Sequence, residues 1–181
     1  MIKLYCIVTV FLLCFIGVSV NAQEDLIKRQ VDSLQYCGAD FLDCSSVIWR
    51  IIAHEKKAIP YLLEKLSDTT LTSTHLKCKL TDVRVGDLAY VALKEIISIP
   101  MFAVTKQQFD TYDGNGCQGR VYVYIEENRE KFKTQVKNWI TNNMAAYRWV
   151  RFKPNELSAC DRYNKITGMF ELDYSKLKKN G

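Results

Sequence analysis

Histidine is scarce in this chain: His54 and His75 are the only two among 181 residues. Nucleophilic catalysis by Ser or Cys needs a base within hydrogen-bond reach, and no nucleophile-elbow motif accompanies either histidine. His54 falls near a helix C-terminus, where the dipole favours an exposed imidazole, and His75 lies in a polar loop. No catalytic residue is assigned on this basis. Asn-x-Ser/Thr acceptors are absent, so nothing argues for glycosylation. No low-complexity run, linker or clear domain boundary divides the chain. After residue 20 no stretch is long and apolar enough to cross a bilayer. A net charge of +5 is only mildly basic, within the range that keeps a small domain soluble.

What the chain does carry is the pattern of a leader. Lys3 is the sole charge before Glu24, and Leu4 to Val20 is apolar apart from Thr9 and Ser19. Val20-Asn21-Ala22 then offers small residues at both positions a signal peptidase reads, and Gln23-Glu24-Asp25 turns polar. This pattern predicts a secretory signal peptide over residues 1–22 and a periplasmic or secreted product. An uncleaved anchor is the rival, because the apolar run approaches the lower limit for spanning a bilayer. Removing 22 of the 181 residues leaves 159, residues 23–181, enough for one domain with its own core. Loss of Lys3 lowers the charge from +5 to +4.

Of seven cysteines, Cys6 and Cys14 leave with the leader, and Cys37, Cys44, Cys78, Cys117 and Cys160 remain. An oxidising compartment favours disulfides, and an odd number leaves at least one thiol over. Cys37 and Cys44, flanking Gly38, are expected to staple two helix ends. Cys78 and Cys117, both in loop-like stretches, form the next expected pair, with Cys160 left over. His75 and Cys78 have one local metal-ligand spacing that Cys117 and Cys160 would complete; export favours disulfides over it. No metal or other cofactor is expected.

Helical periodicity dominates the rest. Leu26, Ile27, Val31 and Leu34 form a stripe ending near Gly38, and Asp43 is the expected N-cap for a helix carrying Val47, Ile48, Ile51 and Ile52, with Trp49 to one side. Pro60 suits the first turn of a helix presenting Ile59, Leu62, Leu63 and Leu66. Residues 68–79 read as a loop. Asp82 is the expected cap of a helix through Val85, Leu88, Ala89, Ala92, Leu93 and Ile96, stopped by Pro100. Asp113-Gly114-Asn115-Gly116 is a turn; the calcium-loop pattern fails there, because its sixth position is Gln118 and its twelfth Tyr124. Residues 121–142 form the longest helix candidate, and 162–174 admit a small β-hairpin. The predicted class is mainly α, one helical domain with a small C-terminal hairpin.

Residues 58–97 resemble a HEAT-type helical repeat. Ala58-Ile59-Pro60-Tyr61-Leu62-Leu63-Glu64-Lys65-Leu66-Ser67-Asp68 is similar to the second helix of one unit and its closing turn. Asp82-Val83-Arg84, with Ala89, Ala92, Leu93 and Ile96, is similar to the start of the next. A loop of a dozen residues replaces the usual short turn, and Gly86-Asp87 interrupts a helix-favouring position. Such units bury their apolar faces only by stacking, in arrays of three or more, so two units imply a truncated stack. Asp43-Cys44-Ser45-Ser46 and Gly86-Asp87-Leu88-Ala89-Tyr90 also resemble stretches in small exported proteins of Gram-negative bacteria. The helical-repeat resemblance implies a protein partner more than a reaction.

Candidate binding residues follow from chemistry and position. Gly86 permits close approach of another backbone, so that Asp87, beside Tyr90, accepts hydrogen bonds from a loop or partner; the plainer alternative pairs a buried Asp87 with Arg84. Tyr147, Trp149 and Arg151 lie in a run interleaving aromatics with cations, a combination that stacks on nucleic acid. Export and modest charge argue against a nucleic acid, and the composition suits a protein interface. The expected function is an exported, non-enzymatic protein-binding module, concretely an immunity-type inhibitor of a secreted toxin. The alternative is a cell-envelope hydrolase using scattered carboxylates such as Asp43, Asp87 and Glu95. No membrane span is expected once the leader is removed, and the sequence leaves the oligomeric state open.

Overall fold

The computed structural model describes residues 22–79, 81–109 and 120–177. The predicted leader up to residue 21, the Asp113-Gly114-Asn115-Gly116 turn and Cys117 lie outside the described residues.

The fold is mainly α. Helix α1 covers residues 22–32 and tightens into a 3-10 turn at Ser33–Tyr36. It is followed by α2 (Val47–Ile52), α3 (Ile59–Lys65), α4 (Val85–Ile96), α5 (Met101–Thr105), α6 (Arg120–Glu127), α7 (Arg129–Asn143) and α8 (Ala159–Asn164), with strands β1 (Tyr147–Arg151) and β2 (Gly168–Leu172). Most of the predicted stripe residues are buried: Ile27 and Val31 on α1 and Leu34 in its 3-10 turn, Ile48, Ile51 and Ile52 on α2, and Ile59, Leu62 and Leu63 on α3, whereas Leu26 of the first stripe is exposed. Helix α4 is central, packing against α2, α3 and β2. Its Leu88, Ala89, Ala92 and Leu93 are fully buried, and each large apolar side chain so buried contributes roughly 1.5–3 kcal/mol. Phe132, Val136 and Ile140 of α7 join the same cluster.

Several local expectations are revised. Residues 121–142 are two helices broken at Asn128, whose backbone (φ −132°, ψ 32°) leaves the helical region. The Asn128 amide donates to Tyr124 O at 3.1 Å, the side-chain competition with the helix ladder that disfavours Asn inside helices. The cap of α2 is Ser46, not Asp43; the cap of α4 is Arg84, not Asp82, with Asp87 Oδ2 accepting the Arg84 N–H at 2.8 Å. The C-terminal strands pair antiparallel with Trp149 opposite Phe170. The first of them thus lies earlier than expected, and α8 occupies part of the predicted hairpin. Gly168 is required there, because a Cβ would overlap the Val150 carbonyl and touch the Trp149 ring.

Residues 68–79 are irregular, as predicted, but firmly tied. The chain doubles back on the entry to α4 through Thr72 N–H to Val83 O, Val85 N–H to Thr70 O and Gly86 N–H to Asp68 O, each 2.9 Å. Thr74 Oγ1 donates to Cys37 O at 2.9 Å and joins this strap to the end of the first helical segment.

The expected Cys37–Cys44 staple does not form. Cys44 is bonded to Cys160, 116 residues away. Cys37 is a free, buried thiol, turned into the core beside Leu34 and Phe41, and burial pushes its pKa up. Position decides this: Cys44 sits in the turn before α2, and α8 packs on α2, carrying Cys160 to it. Cys78 is also disulfide-bonded; its expected partner, Cys117, is outside the described residues. With Cys78 and Cys160 both oxidised, the metal set built on His75 is withdrawn. Among the described residues no three His, Cys, Asp or Glu side chains converge as a metal site, and no helix is long and apolar enough to cross a membrane.

Candidate functional site: a groove beside a buried ionic network

Asp87 and Tyr90, expected to face a partner, both lie inside. Asp87 is 0% exposed and Tyr90 8%. The close approach that Gly86 permits is made by the Leu66 carbonyl: a Cβ at residue 86 would lie 2.5 Å from that oxygen and 3.0 Å from Arg129 Nη1. Asp87 Oδ1 accepts from Arg129 Nη2 at 3.1 Å, and Lys79 Nζ stands 3.6 Å from Oδ2. The Arg84 guanidinium, the expected partner, instead donates to Thr69 O. Lys79 Nζ also donates to Glu126 Oε2 at 2.8 Å, and Thr81 Oγ1 donates to the same oxygen at 2.9 Å. The Lys79 hydrogen bond is the main reason the Glu126 carboxyl is held below its ordinary range. Two cations face two carboxylates, so the network is locally neutral. Its components come from the strap, α4, α6 and α7, and removing one partner from such a buried set costs about 3–5 kcal/mol. Arg129 Nη1 is buried without an acceptor.

Tyr90 belongs to an aromatic cluster, edge-on to Tyr122 (6.1 Å between centroids) and Phe132 (5.6 Å). Burial pushes its phenol up to about 12.

The aromatic–cationic run forms β1, and its aromatics are occupied. Tyr147 OH donates to Ser98 O at 2.8 Å and accepts from Trp139 Nε1 at 3.1 Å. Trp149 packs against Phe170 at 4.9 Å between ring centroids. Arg148 and Arg151 are exposed. Of the five candidates, only Arg151 is exposed, Tyr147 and Trp149 are half-buried, and the structure does not bring the five together.

The hydrolase carboxylates are also separated. Asp87 is buried and ion-paired, Asp43 lines a depression with Tyr36 and Arg50, and Glu95 rims a different groove. His54 bonds through Nε2 to Gln30 Oε1 at 2.8 Å, joining the turn after α2 to α1, and burial followed by the Lys57 charge lowers its pKa.

That second groove has the most apolar lining of the depressions formed by the described residues. It has a volume of about 290 Å³ and is walled by Phe41, Ile48, Trp49, Ile52, Leu76, Val91 and Tyr122, with Lys77, Lys94 and Glu95 at the rim and Cys78 at one side. On α4, Val91, Lys94 and Glu95 stand on the stripe opposite the core face, which is how one helix serves both core and groove. Lys94 is 3.7 Å from Glu95, whereas Lys77 is exposed and has no ion-pair partner among the described residues. The Trp49 indole N–H is buried with no acceptor, an orphaned donor costing about 1–3 kcal/mol. Burial, then the neighbouring Tyr90, Asp87 and Glu95, raises the Tyr122 phenol pKa. Leu76, Lys77 and Cys78 are held in place by the Lys79 ionic anchor and the Cys78 disulfide, so one wall is a loop fixed at its end.

Sequence reasoning assigned Ile48, Ile52 and Leu76 to no site, and apolar periodicity alone does not separate core from groove. The available signal was Trp49, which stands off its helix's apolar stripe. No family model, curated protein or solved structure matches the chain.

Proposed function

We propose that this protein is an exported, non-enzymatic binding module that receives a side chain of a partner protein in the groove beneath Trp49, acting in the periplasm or outside the cell. The observation that carries this reading is the groove: aromatic and aliphatic walls, charged only at its rim, at about 290 Å³. That is just below the range of pockets that enclose whole small ligands, and it suits one or two anchoring side chains. The Cys44–Cys160 disulfide fits an oxidising compartment. The resemblance of residues 58–97 to a HEAT-type unit points the same way, toward protein contact. The concrete form is an immunity-type protein that occludes the active site of an exported toxin.

The test is recovery of a stoichiometric complex with a protein encoded nearby, together with protection of cells that express that neighbour as a toxin. Absence of both a stable complex and protection overturns this form of the function.

A further inference from the structure

Taking the groove as the binding site, we propose that its occupant is an acidic segment of a protein that inserts one aromatic side chain, with carboxylates immediately following that aromatic residue. Two observations carry this specificity. The walls are largely aromatic and aliphatic, and the volume of about 290 Å³ leaves room for a ring but not for a folded element. Among the described residues the rim holds two cations against one carboxylate: Lys94 shares Glu95 at 3.7 Å, and Lys77 has no ion-pair partner. An anionic residue arriving at the rim therefore meets a lysine with no ion-pair partner among the described residues, which favours an acidic segment over a basic one.

The experiment uses the disulfide-intact protein and a blocked hexapeptide with one central Phe followed by two Glu. Saturable binding is expected, with the Trp49 indole N–H resonance shifting and those of Trp139 and Trp149 unmoved. Replacing both Glu by Gln, or reversing Lys77 and Lys94 together to Glu, weakens binding at least tenfold. Raising the salt from low to high concentration weakens it several-fold. Both lysines are exposed, so the reversed protein keeps its helical circular dichroism and its melting point.

The proposal is overturned if the Gln peptide binds as well as the Glu peptide, or if the Lys77→Glu/Lys94→Glu protein binds unchanged. It is equally overturned if dodecanoate occupies the groove while the peptide does not, or if no Trp49 signal moves at millimolar peptide. Val91→Trp, which fills the groove, separates this outcome from failure of the binding function. A partner complex that forms normally with that variant removes the groove but leaves a binding module acting through another face.

Discussion

Gly86→Ala sets two effects of opposite sign against each other. By helix propensity alone, Ala in place of Gly within a helix gains roughly 0.5–1 kcal/mol. The structure predicts the reverse. The new Cβ would stand 2.5 Å from the Leu66 carbonyl oxygen and 3.0 Å from both the Leu66 carbonyl carbon and Arg129 Nη1. Two of those three atoms are backbone, held at the C-terminal cap of α3, and Leu66 itself is fully buried. Overpacking of this kind costs about 1–3 kcal/mol. Pushing Arg129 aside also strains its 3.1 Å contact with Asp87, and complete loss of such a buried pair costs about 3–5 kcal/mol. With a fraction of that loss included, the net destabilisation is about 3 kcal/mol, or roughly 6–12 °C in Tm for a chain of this size. Thermal and urea unfolding of the disulfide-intact protein measure it. Gly38→Ala is the control: its nearest neighbour is Ser73 Oγ at 3.7 Å, so it should be neutral or stabilising by a few tenths of a kcal/mol. In an Arg129→Met background the cost of Gly86→Ala should fall, because one of the displaced groups is gone. A Gly86→Ala protein that melts at or above the wild-type temperature refutes the packing argument.

Arg129→Met by itself leaves Asp87 with Lys79 alone and should cost about 3–5 kcal/mol; chemical denaturation checks it, and a cost under 1 kcal/mol contradicts the network's structural role. Glu64 lies between Lys133 (2.8 Å) and Lys137 (2.7 Å), and the Lys133 hydrogen bond leads in drawing its carboxyl down to about 2. A depressed folded pKa gives stability that is present above about 4.5 and lost as the pH falls toward 2. Because the side chain is 56% exposed, Glu64→Gln should cost under about 1 kcal/mol at pH 7, and the difference should shrink from about pH 4.5 and disappear as the pH falls through about 2; a gap that does not shrink argues against the ion pairs. Replacing Cys44 and Cys160 together by Ser opens a link across 116 residues and should cost about 2–4 kcal/mol, read by thermal unfolding, with an unchanged Tm as the contrary result. The disulfide-intact protein without residues 1–22 should yield one thiol, Cys37, and only after unfolding, since that thiol is buried; rapid labelling without denaturant would place it at the surface.

The helical class and the buried stripes were legible because period 3.6 is a local property, and each helix declares its core face one turn at a time. Caps were less legible. Asp43 and Asp82 have the right side chains, but Ser46 and Arg84 hold the positions, because the turns before α2 and α4 are set by the Phe41 carbonyl and by the strap. Asp87 shows the limit most clearly. Its alternatives were a surface acceptor or a partner of Arg84, three residues away, yet its counter-charge is Arg129, 42 residues along the chain. Tyr147 and Trp149 read as an interface by composition, but their ring and hydroxyl partners, Phe170, Trp139 and Ser98, come from other elements.

Fold class, helix faces, the export pattern and the expectation of disulfides came from the sequence alone, since each rests on local spacing or on composition. Which cysteines join, which charges are buried together and where a groove opens depended on the tertiary structure. Those are contacts between residues tens of positions apart, and Cys44 meets Cys160, like Asp87 and Arg129, only after α2, α4, α7 and α8 have packed.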